Sequence, residues 1–183
     1  VAATPSANVH SAGGTGASGV SYGNRLVSLN TTPGHPNCIQ PGKRPRITLT
    51  PTIVVKDGAP VLAISVAGGD LQDQVTLELL LDFIEFGMEP ATAVTAPRFA
   101  THHHQDSFDP NPVREEAFIE AGSLVVNETV APAVREELAR RGHEVDIAPR
   151  AIAAPVMLYR EPGTGVYHAA GDPAARRHAA GLV

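Results

Sequence analysis

The sequence predicts an α+β fold, in which antiparallel strands and helices form layers of one domain covering residues 1–183. Runs of β-branched residues on either side of Asp57 and Gly58 have the pattern of a hairpin. An apolar pattern typical of a buried helix follows this hairpin directly, and a second hairpin pattern lies near the end of the chain. Strands joined by hairpins and followed by helices favour α+β layers over a doubly wound parallel sheet.

The first segments of the chain are rich in residues that break regular structure. The stretch SAGGTGASGVSYG has too little apolar periodicity to form an element and predicts a loop between two strands. Residues 30–46 contain four prolines and two glycines, which exclude a regular element.

The central part of the chain predicts a hairpin and a helix. Strands are expected from Thr52 to Lys56 and from Val61 to Val66, with a turn at Asp57 and Gly58. Apolar residues at spacings of three and four predict a buried helix from Leu71 to Phe86, and Gly87 ends it.

Two further helices and a closing hairpin complete the prediction. A short helix begins at Pro90 and ends before Pro97, whereas residues 101–120 are expected to be irregular and exposed. The stretch APAVREELARRGH predicts a third helix that ends at Gly142. The segments AAPVMLYR and GVYHAAG, separated by EPGTG, predict the closing hairpin.

Composition excludes several classes of protein. The net charge of −5 and the pI near 5.9 argue against a nucleic-acid partner. The longest apolar stretch, LELLLDFIEF, is much shorter than the roughly 20 residues that span a bilayer, so no membrane partner is expected. The chain begins at Val1 without an apolar signal core, which indicates a processed product or a fragment and leaves the compartment open.

Single residue types that suggest chemistry have simpler explanations here. Cys38 is the sole cysteine, so neither a disulfide within the chain nor a cysteine zinc site is expected. The stretch HHHQD, residues 102–106, suggests a metal site, but consecutive histidines point in different directions on a regular backbone. We therefore expect no metal and no cofactor.

Arg44 and Arg98 are expected to form buried ion pairs, within the chain or with a partner.

The stretch SVAGGDLQDQ, residues 65–74, contains the candidate catalytic feature. Neither phosphate-loop spacing of glycines is present. A strand end, two residues without a Cβ and a helix N-terminus are the parts of an oxyanion hole, in which backbone N–H groups bind an oxygen that becomes negative. The alternative is a tight strand-to-helix turn with one left-handed glycine. In either case Asp70 is expected to cap the helix.

The wider pattern resembles the small subunit of the γ-glutamyltranspeptidase family. The resemblance rests on GKRPRITLTPTIVVKDGAPVLAISVAGG, FGMEPATAVTAPRF and AAGDPAARRHAAG, in that order. It implies the four-layer αββα sandwich of the N-terminal-nucleophile hydrolases. It also implies a precursor that cuts itself, a large subunit from the same precursor as partner, and an N-terminal threonine as nucleophile.

The resemblance assigns roles to several residues. Gly68 and Gly69 match the Gly-Gly pair whose backbone stabilises the tetrahedral oxyanion. Ser6 matches the hydroxyl residue that hydrogen-bonds the nucleophile, and a serine keeps the donor and acceptor for that role. Asn8 matches a substrate-binding asparagine.

The donor pocket departs from the family pattern. Ile47 and Thr48 occupy the positions of two serines that hold the carboxylate of the donor, so half of that contact remains. Ser28 stands where the family has the acid that binds the α-ammonium group. Only Cys38, Ile39 and Gln40 separate PGHPN from Pro41, where the family often has a lid, so we expect an open pocket.

These observations predict the small subunit of an acyltransferase or amidohydrolase that cleaves small γ-glutamyl or related amides. No T-T-H stretch is present, and Thr4 has no free α-amino group to act as its base. The nucleophilic threonine is therefore expected upstream of Val1, and this chain alone is expected to be inactive. One alternative is a structural or binding homologue that has lost the nucleophile, and a second is a metal module built on the histidines of HHHQD.

Overall fold

The computed structural model describes residues 25–108, 111, 113–118 and 121–180, together with positions 14, 17 and 19. In this part of the chain, strands form a four-stranded and a three-stranded sheet, and three α-helices connect or cover them. The strands are β1 (Thr52–Lys56), β2 (Ala59–Ala67), β3 (Phe99–Ala100), β4 (Ser123–Asn127), β5 (Glu144–Ala148), β6 (Ala154–Arg160) and β7 (Tyr167–Gly171). The helices are α1 (Gln72–Ile84), α2 (Pro90–Thr95) and α3 (Pro132–Arg140).

The larger sheet has the strand order β1-β2-β6-β7 and is antiparallel throughout. Both predicted hairpins are confirmed as its two halves. Asp57 and Gly58 have φ angles of 51° and 77°, the left-handed values that a two-residue hairpin turn requires. The second strand is longer than predicted and continues to Ala67, so it leads directly into the Gly-Gly pair.

The core lies between this sheet and helices α1 and α2. Alternate residues of β2, namely Leu62, Ile64 and Val66, are buried on one face of the sheet. Val75 and Leu79 of α1 are fully buried against that face, which anchors the start of α1 to the end of β2. The predicted positions of the three helices are confirmed, although α1 is shorter because a 3₁₀ turn, Gly69–Leu71, precedes it.

The smaller sheet has the order β3-β4-β5, and β4 and β5 are parallel strands connected through α3. The sequence did not predict these two strands, nor any parallel pair. Each is only five residues long, and the stretch EVDIA of β5 has charged residues at two positions, which weakens the strand pattern.

The segment of residues 30–46 is irregular, as predicted, but the expectation that residues 101–120 are exposed is wrong at Ser107 and Ala117, which are buried. Ser107 is buried because its N–H and hydroxyl bind the carboxylate of Asp70. Residues 30–46 contain turns and one isolated bridge between Asn30 and Cys38. The loop expected within the first 23 residues lies almost entirely outside the described residues. Among the described residues, no helix is long and apolar enough to cross a membrane.

Candidate functional site

The Gly-Gly pair forms a sharp turn between β2 and α1. Gly68 has a φ of 174° and a ψ of 21°, and Gly69 is left-handed, with φ of 59°. The carbonyl oxygen of Gly68 accepts a hydrogen bond from the N–H of Leu71 at 3.1 Å. Because the N–H of a trans peptide points opposite to its C=O, the N–H of Gly69 points away from the helix. No acceptor for it is found among the described residues, so the turn presents a backbone donor.

Two neighbouring side chains explain why both residues are glycine. A Cβ on Gly68 would lie 2.6 Å from the Cβ of Ala153, which is closer than two non-bonded carbon atoms approach in proteins. A Cβ on Gly69 would lie 3.3 Å from the ring of Phe108, and its left-handed φ is one that glycine adopts without strain. The geometry therefore confirms the prediction of a tight strand-to-helix turn with one left-handed glycine. The role of the same turn as an oxyanion hole stays a prediction.

The predicted capping role of Asp70 is wrong. The residue before α1 is Leu71, and Asp70 makes no side-chain cap, because the 3₁₀ turn separates it from the first turn of α1. Its carboxylate instead accepts hydrogen bonds from the N–H of Ser107, at 2.9 Å, and from the Ser107 hydroxyl. Ser107 is fully buried, so this contact fixes the loop that places Phe108 against Gly69.

The segment that contains Ile47 and Thr48 runs beside the same turn. With its amide nitrogen facing inward, Gln72 donates to the carbonyl oxygens of Thr48 and Val66, each at 3.1 Å. The hydroxyl of Thr48 accepts a hydrogen bond from Arg25 Nη2 at 3.1 Å. The side chain of Ile47 is 56% exposed. Thr48 is thus held close to the Gly-Gly turn, whereas Ile47 faces outward.

Arg25 connects Thr48 to the Phe108 loop. Its guanidinium carbon lies 4.8 Å from the centre of the Phe108 ring, a cation–π contact. Burial lowers the pKa of Arg25, and the negative charge of Asp70 opposes this shift.

Ser28 ends the 3₁₀ turn Arg25–Ser28 and is completely buried. Its hydroxyl has no hydrogen-bond partner among the described residues. An unsatisfied buried hydroxyl is costly in proteins and calls for a partner. Ser28 belongs to the same 3₁₀ turn as Arg25, whose guanidinium binds the hydroxyl of Thr48.

A shallow groove of about 190 Å³ lies next to the turn. Its walls include Ile47, Thr48, Asp70 and His104. His104 Nδ1 lies 3.3 Å from the carbonyl oxygen of Gln105, and its Nε2 is buried without a partner among the described residues. The same part of the chain contains no group of three or more histidine, cysteine or acidic side chains that could hold a metal ion.

The two predicted arginine ion pairs have different outcomes. Arg98 and Asp172 form a buried ion pair, with side chains 3% and 5% exposed, as predicted for Arg98. Arg44 is exposed on this chain, so the expected burial within the chain is wrong, and an ion pair with a partner chain stays a prediction. Arg44 directly precedes Pro45 in a stretch without regular secondary structure.

Glu78 of α1 has an unusual environment that the sequence did not reveal. One carboxylate oxygen accepts the N–H of Phe99 at 3.1 Å, and the other is buried without a partner among the described residues. Burial raises its pKa to about 7, although the Phe99 hydrogen bond and the charge of Arg98 act in the opposite direction.

Two predicted site residues, Ser6 and Asn8, lie outside the described residues. Sequence reasoning missed the roles of several residues around the turn: Arg25, Phe108, Ala153 and Asp172. Asp172 lies within the stretch AAGDPAARRHAAG, but no local pattern relates any of the four to the turn, and only their convergence in space reveals them.

Comparison with known proteins places these observations in a family. The sequence profile of gamma-glutamyltranspeptidase matches residues 1–182. The glutathione hydrolase proenzyme of Bacillus subtilis strain 168 is 42% identical over 84 residues, which cover 46% of this chain and 14% of the relative. The chain matches only about a seventh of that relative's length.

Solved structures share the fold. A threonine-to-alanine mutant of Helicobacter pylori gamma-glutamyltranspeptidase superimposes with a TM-score of 0.71 at 21% identity, covering 95% of this chain and 91% of that chain. A cephalosporin acylase from Bacillus halodurans gives a TM-score of 0.69 at 26% identity, covering 85% of this chain and 26% of that chain. The predicted N-terminal-nucleophile hydrolase fold is confirmed.

Proposed function

This chain belongs to the gamma-glutamyltranspeptidase family, and from that membership we propose that it is the small-subunit part of an acyltransferase or amidohydrolase. Its substrates are γ-glutamyl or related small amides. The observation that carries the proposal is the β2–Gly68–Gly69–α1 turn, which presents the N–H of Gly69 without an acceptor among the described residues.

In the proposed reaction, an N-terminal threonine upstream of Val1 attacks the carbonyl carbon of the amide. The proton of its hydroxyl passes to its own α-amino group and then to the leaving amine, as the C–N bond breaks. An acyl-enzyme remains, which water or a second amine attacks in the same way. The N–H of Gly69 donates to the carbonyl oxygen when it becomes negative, and one such donor is typically worth ~2.7–4 kcal/mol.

The proposed donor pocket rests on Thr48, which lines the groove, and on Ser28, which matches the position of an acid in the family pattern. The hydroxyl of Thr48 accepts from Arg25, so its own proton is available for a carboxylate of the substrate. Ser28 offers no negative charge for an α-ammonium group. We therefore propose that glutaryl amides, which lack that amine, are substrates as well as γ-glutamyl amides.

A large chain from the same precursor is the proposed partner. Ile53 and Val55, on the sheet face away from α1, are 53% and 60% exposed. Leu77 and Ile84, on the outer side of α1, are each 57% exposed. Exposed apolar surfaces of this kind are typical of interaction sites, and an αββα sandwich requires further layers to cover them.

The test is to express the complete precursor that contains this chain and to measure two properties. The first is the N-terminal residue of the mature small chain, determined by mass spectrometry. The second is kcat/KM for matched γ-glutamyl and glutaryl anilides. We expect a free N-terminal threonine and turnover that disappears when this threonine is replaced by alanine.

The same experiment decides between the enzyme and the structural homologue. A mature chain without a free threonine, and without turnover of either anilide, would establish the non-catalytic alternative. Turnover that survives replacement of the threonine would contradict the mechanism.

A further inference from the structure

The peptide between Gly68 and Gly69 needs support from outside the turn. Neither residue has a Cβ, so the backbone on both sides of this peptide rotates more freely than elsewhere. An oxyanion donor is effective only when it is already aimed before the reaction. A second structural feature must therefore hold the peptide in place.

Gly68 points to that feature, because a close contact excludes a side chain there. Its φ of 174° lies outside the left-handed region that favours glycine. What excludes a side chain is Ala153, whose methyl group occupies the space where a Cβ would lie, at 2.6 Å. Ala153 comes directly before Ala154, which pairs with Ala67, so it lies opposite Gly68 where the β2–β6 ladder ends.

Ala153 has a left-handed backbone, with φ of 58°. Residues other than glycine rarely adopt this conformation, and they keep it only where the surroundings enforce it. Such strained residues are concentrated at functional sites. An alanine at this position therefore destabilises the folded state through its left-handed backbone, whereas a glycine would adopt the same φ without strain.

The buried Arg98–Asp172 ion pair holds the backbone around Ala153 in this conformation. Arg98 Nε donates to the carbonyl oxygen of Ile152 at 3.1 Å, directly before Ala153. Arg98 Nη2 donates to Asp172, and the N–H of Asp172 donates to the carbonyl oxygen of Pro155 at 3.2 Å. The residues on both sides of Ala153 are thus fixed by one ion pair.

We propose that Ala153 is a positioning residue, which packs its methyl group on Gly68 so that the N–H of Gly69 stays aimed at the acyl oxygen. This inference rests on the proposed function for its catalytic consequence. Its structural part, that Ala153 immobilises the turn, is independent of any substrate.

The decisive variant is Ala153→Gly in the assembled, processed protein. Glycine accepts the left-handed backbone, so unfolding should occur at the same or a higher temperature. Without the methyl group of Ala153, the peptide between Gly68 and Gly69 can rotate, and the N–H of Gly69 no longer points steadily at the acyl oxygen. We expect kcat to fall about tenfold, part of the 10²–10³-fold that losing a whole donor costs, with KM unchanged. A purely structural role for Ala153 predicts no loss of kcat in a variant of undiminished stability.

Asp57→Gly is the matched control. Asp57 is also a non-glycine residue with a left-handed φ, of 51°, but it lies in the β1–β2 turn. The substitution relieves the same kind of strain away from the site, and kcat should stay unchanged.

A methyl exchange provides a second test. Gly68→Ala should be severely impaired, because its Cβ meets that of Ala153. The double variant Gly68→Ala with Ala153→Gly carries one methyl group in the same contact, supplied from the other side. We expect it to turn over faster than Gly68→Ala alone.

Hydrogen exchange separates this inference from the proposed function. The amides of residues 67–72 should exchange faster in Ala153→Gly than in the parent or in Asp57→Gly. Unchanged exchange there, or unchanged kcat in Ala153→Gly, overturns the inference. A parent protein without amide turnover would instead refute the proposed function, and the exchange result would still decide whether Ala153 holds the turn.

Discussion

Replacing Gly69 by alanine should separate the conformational role of this residue from its catalytic role. Its φ of 59° costs an alanine about 1–2 kcal/mol. The new Cβ would also lie 3.3 Å from the Phe108 ring, which must move by a few tenths of an ångström. We expect the Gly68–Gly69 peptide to rotate and relieve the strain in φ, which turns the N–H away from the acyl oxygen. We therefore expect kcat/KM to fall about 10²–10³-fold, the effect of losing one oxyanion donor.

Gly87→Ala is the control for this experiment. Gly87 has a similar left-handed φ of 65°, just after α1, and a Cβ there would meet nothing within 4 Å. Its replacement should cost a similar 1–2 kcal/mol of stability. Because Gly87 is far along the chain from the turn and belongs to no part of the site, turnover should not change.

The assay combines thermal unfolding with kcat/KM for a γ-glutamyl anilide, both on the assembled protein. Gly69→Ala and Gly87→Ala should unfold at similarly lowered temperatures and differ widely in turnover. If Gly69→Ala retained a rate within a few-fold of Gly87→Ala, the N–H of Gly69 would not be an oxyanion donor. Gly69→Val, whose branched side chain is still less compatible with this φ, should abolish turnover while the subunits remain assembled.

Three further predictions concern pH, donor selectivity and assembly. Burial raises the pKa of Glu78 from 4.5 to about 7, so the unfavourable free energy of its buried charge is absent at pH 4, develops between pH 4.5 and about 7, and is complete at pH 8. A shift of this size corresponds to at most about 3 kcal/mol, which solvent screening reduces. Glu78→Gln should therefore raise the unfolding temperature at pH 8 but not at pH 4, and an identical pH profile in parent and variant would contradict the assignment. Ser28→Asp should raise the preference for γ-glutamyl over glutaryl anilide by roughly ten- to a hundredfold, whereas the uncharged Ser28→Asn should not. A preference above a hundredfold in the parent would show that another acid binds the ammonium group. Finally, the chain expressed without its partner should aggregate or stay molten by near-UV circular dichroism, and a monomer that unfolds cooperatively would count against the subunit proposal.

Elements whose signals are local could be predicted from the amino-acid sequence. Hairpin positions follow from β-branched runs and from the left-handed turn at Asp57 and Gly58, and α1 follows from apolar spacing. The three motifs quoted above, in their order along the chain, also indicated the family, since the first of them ends in a Gly-Gly pair between a predicted strand and a predicted helix.

The way in which the Gly-Gly pair is held depends on contacts between residues that are distant in the sequence. Ala153 and Phe108 are 85 and 39 residues along the chain from the glycines they contact, by their numbering, and no local pattern relates such positions. Asp70 shows the same limit, because a 3₁₀ turn moved it out of the capping position and a distant serine became its partner. The parallel β4–β5 pair escaped prediction because short strands with charged residues depend on their neighbours in space for stability.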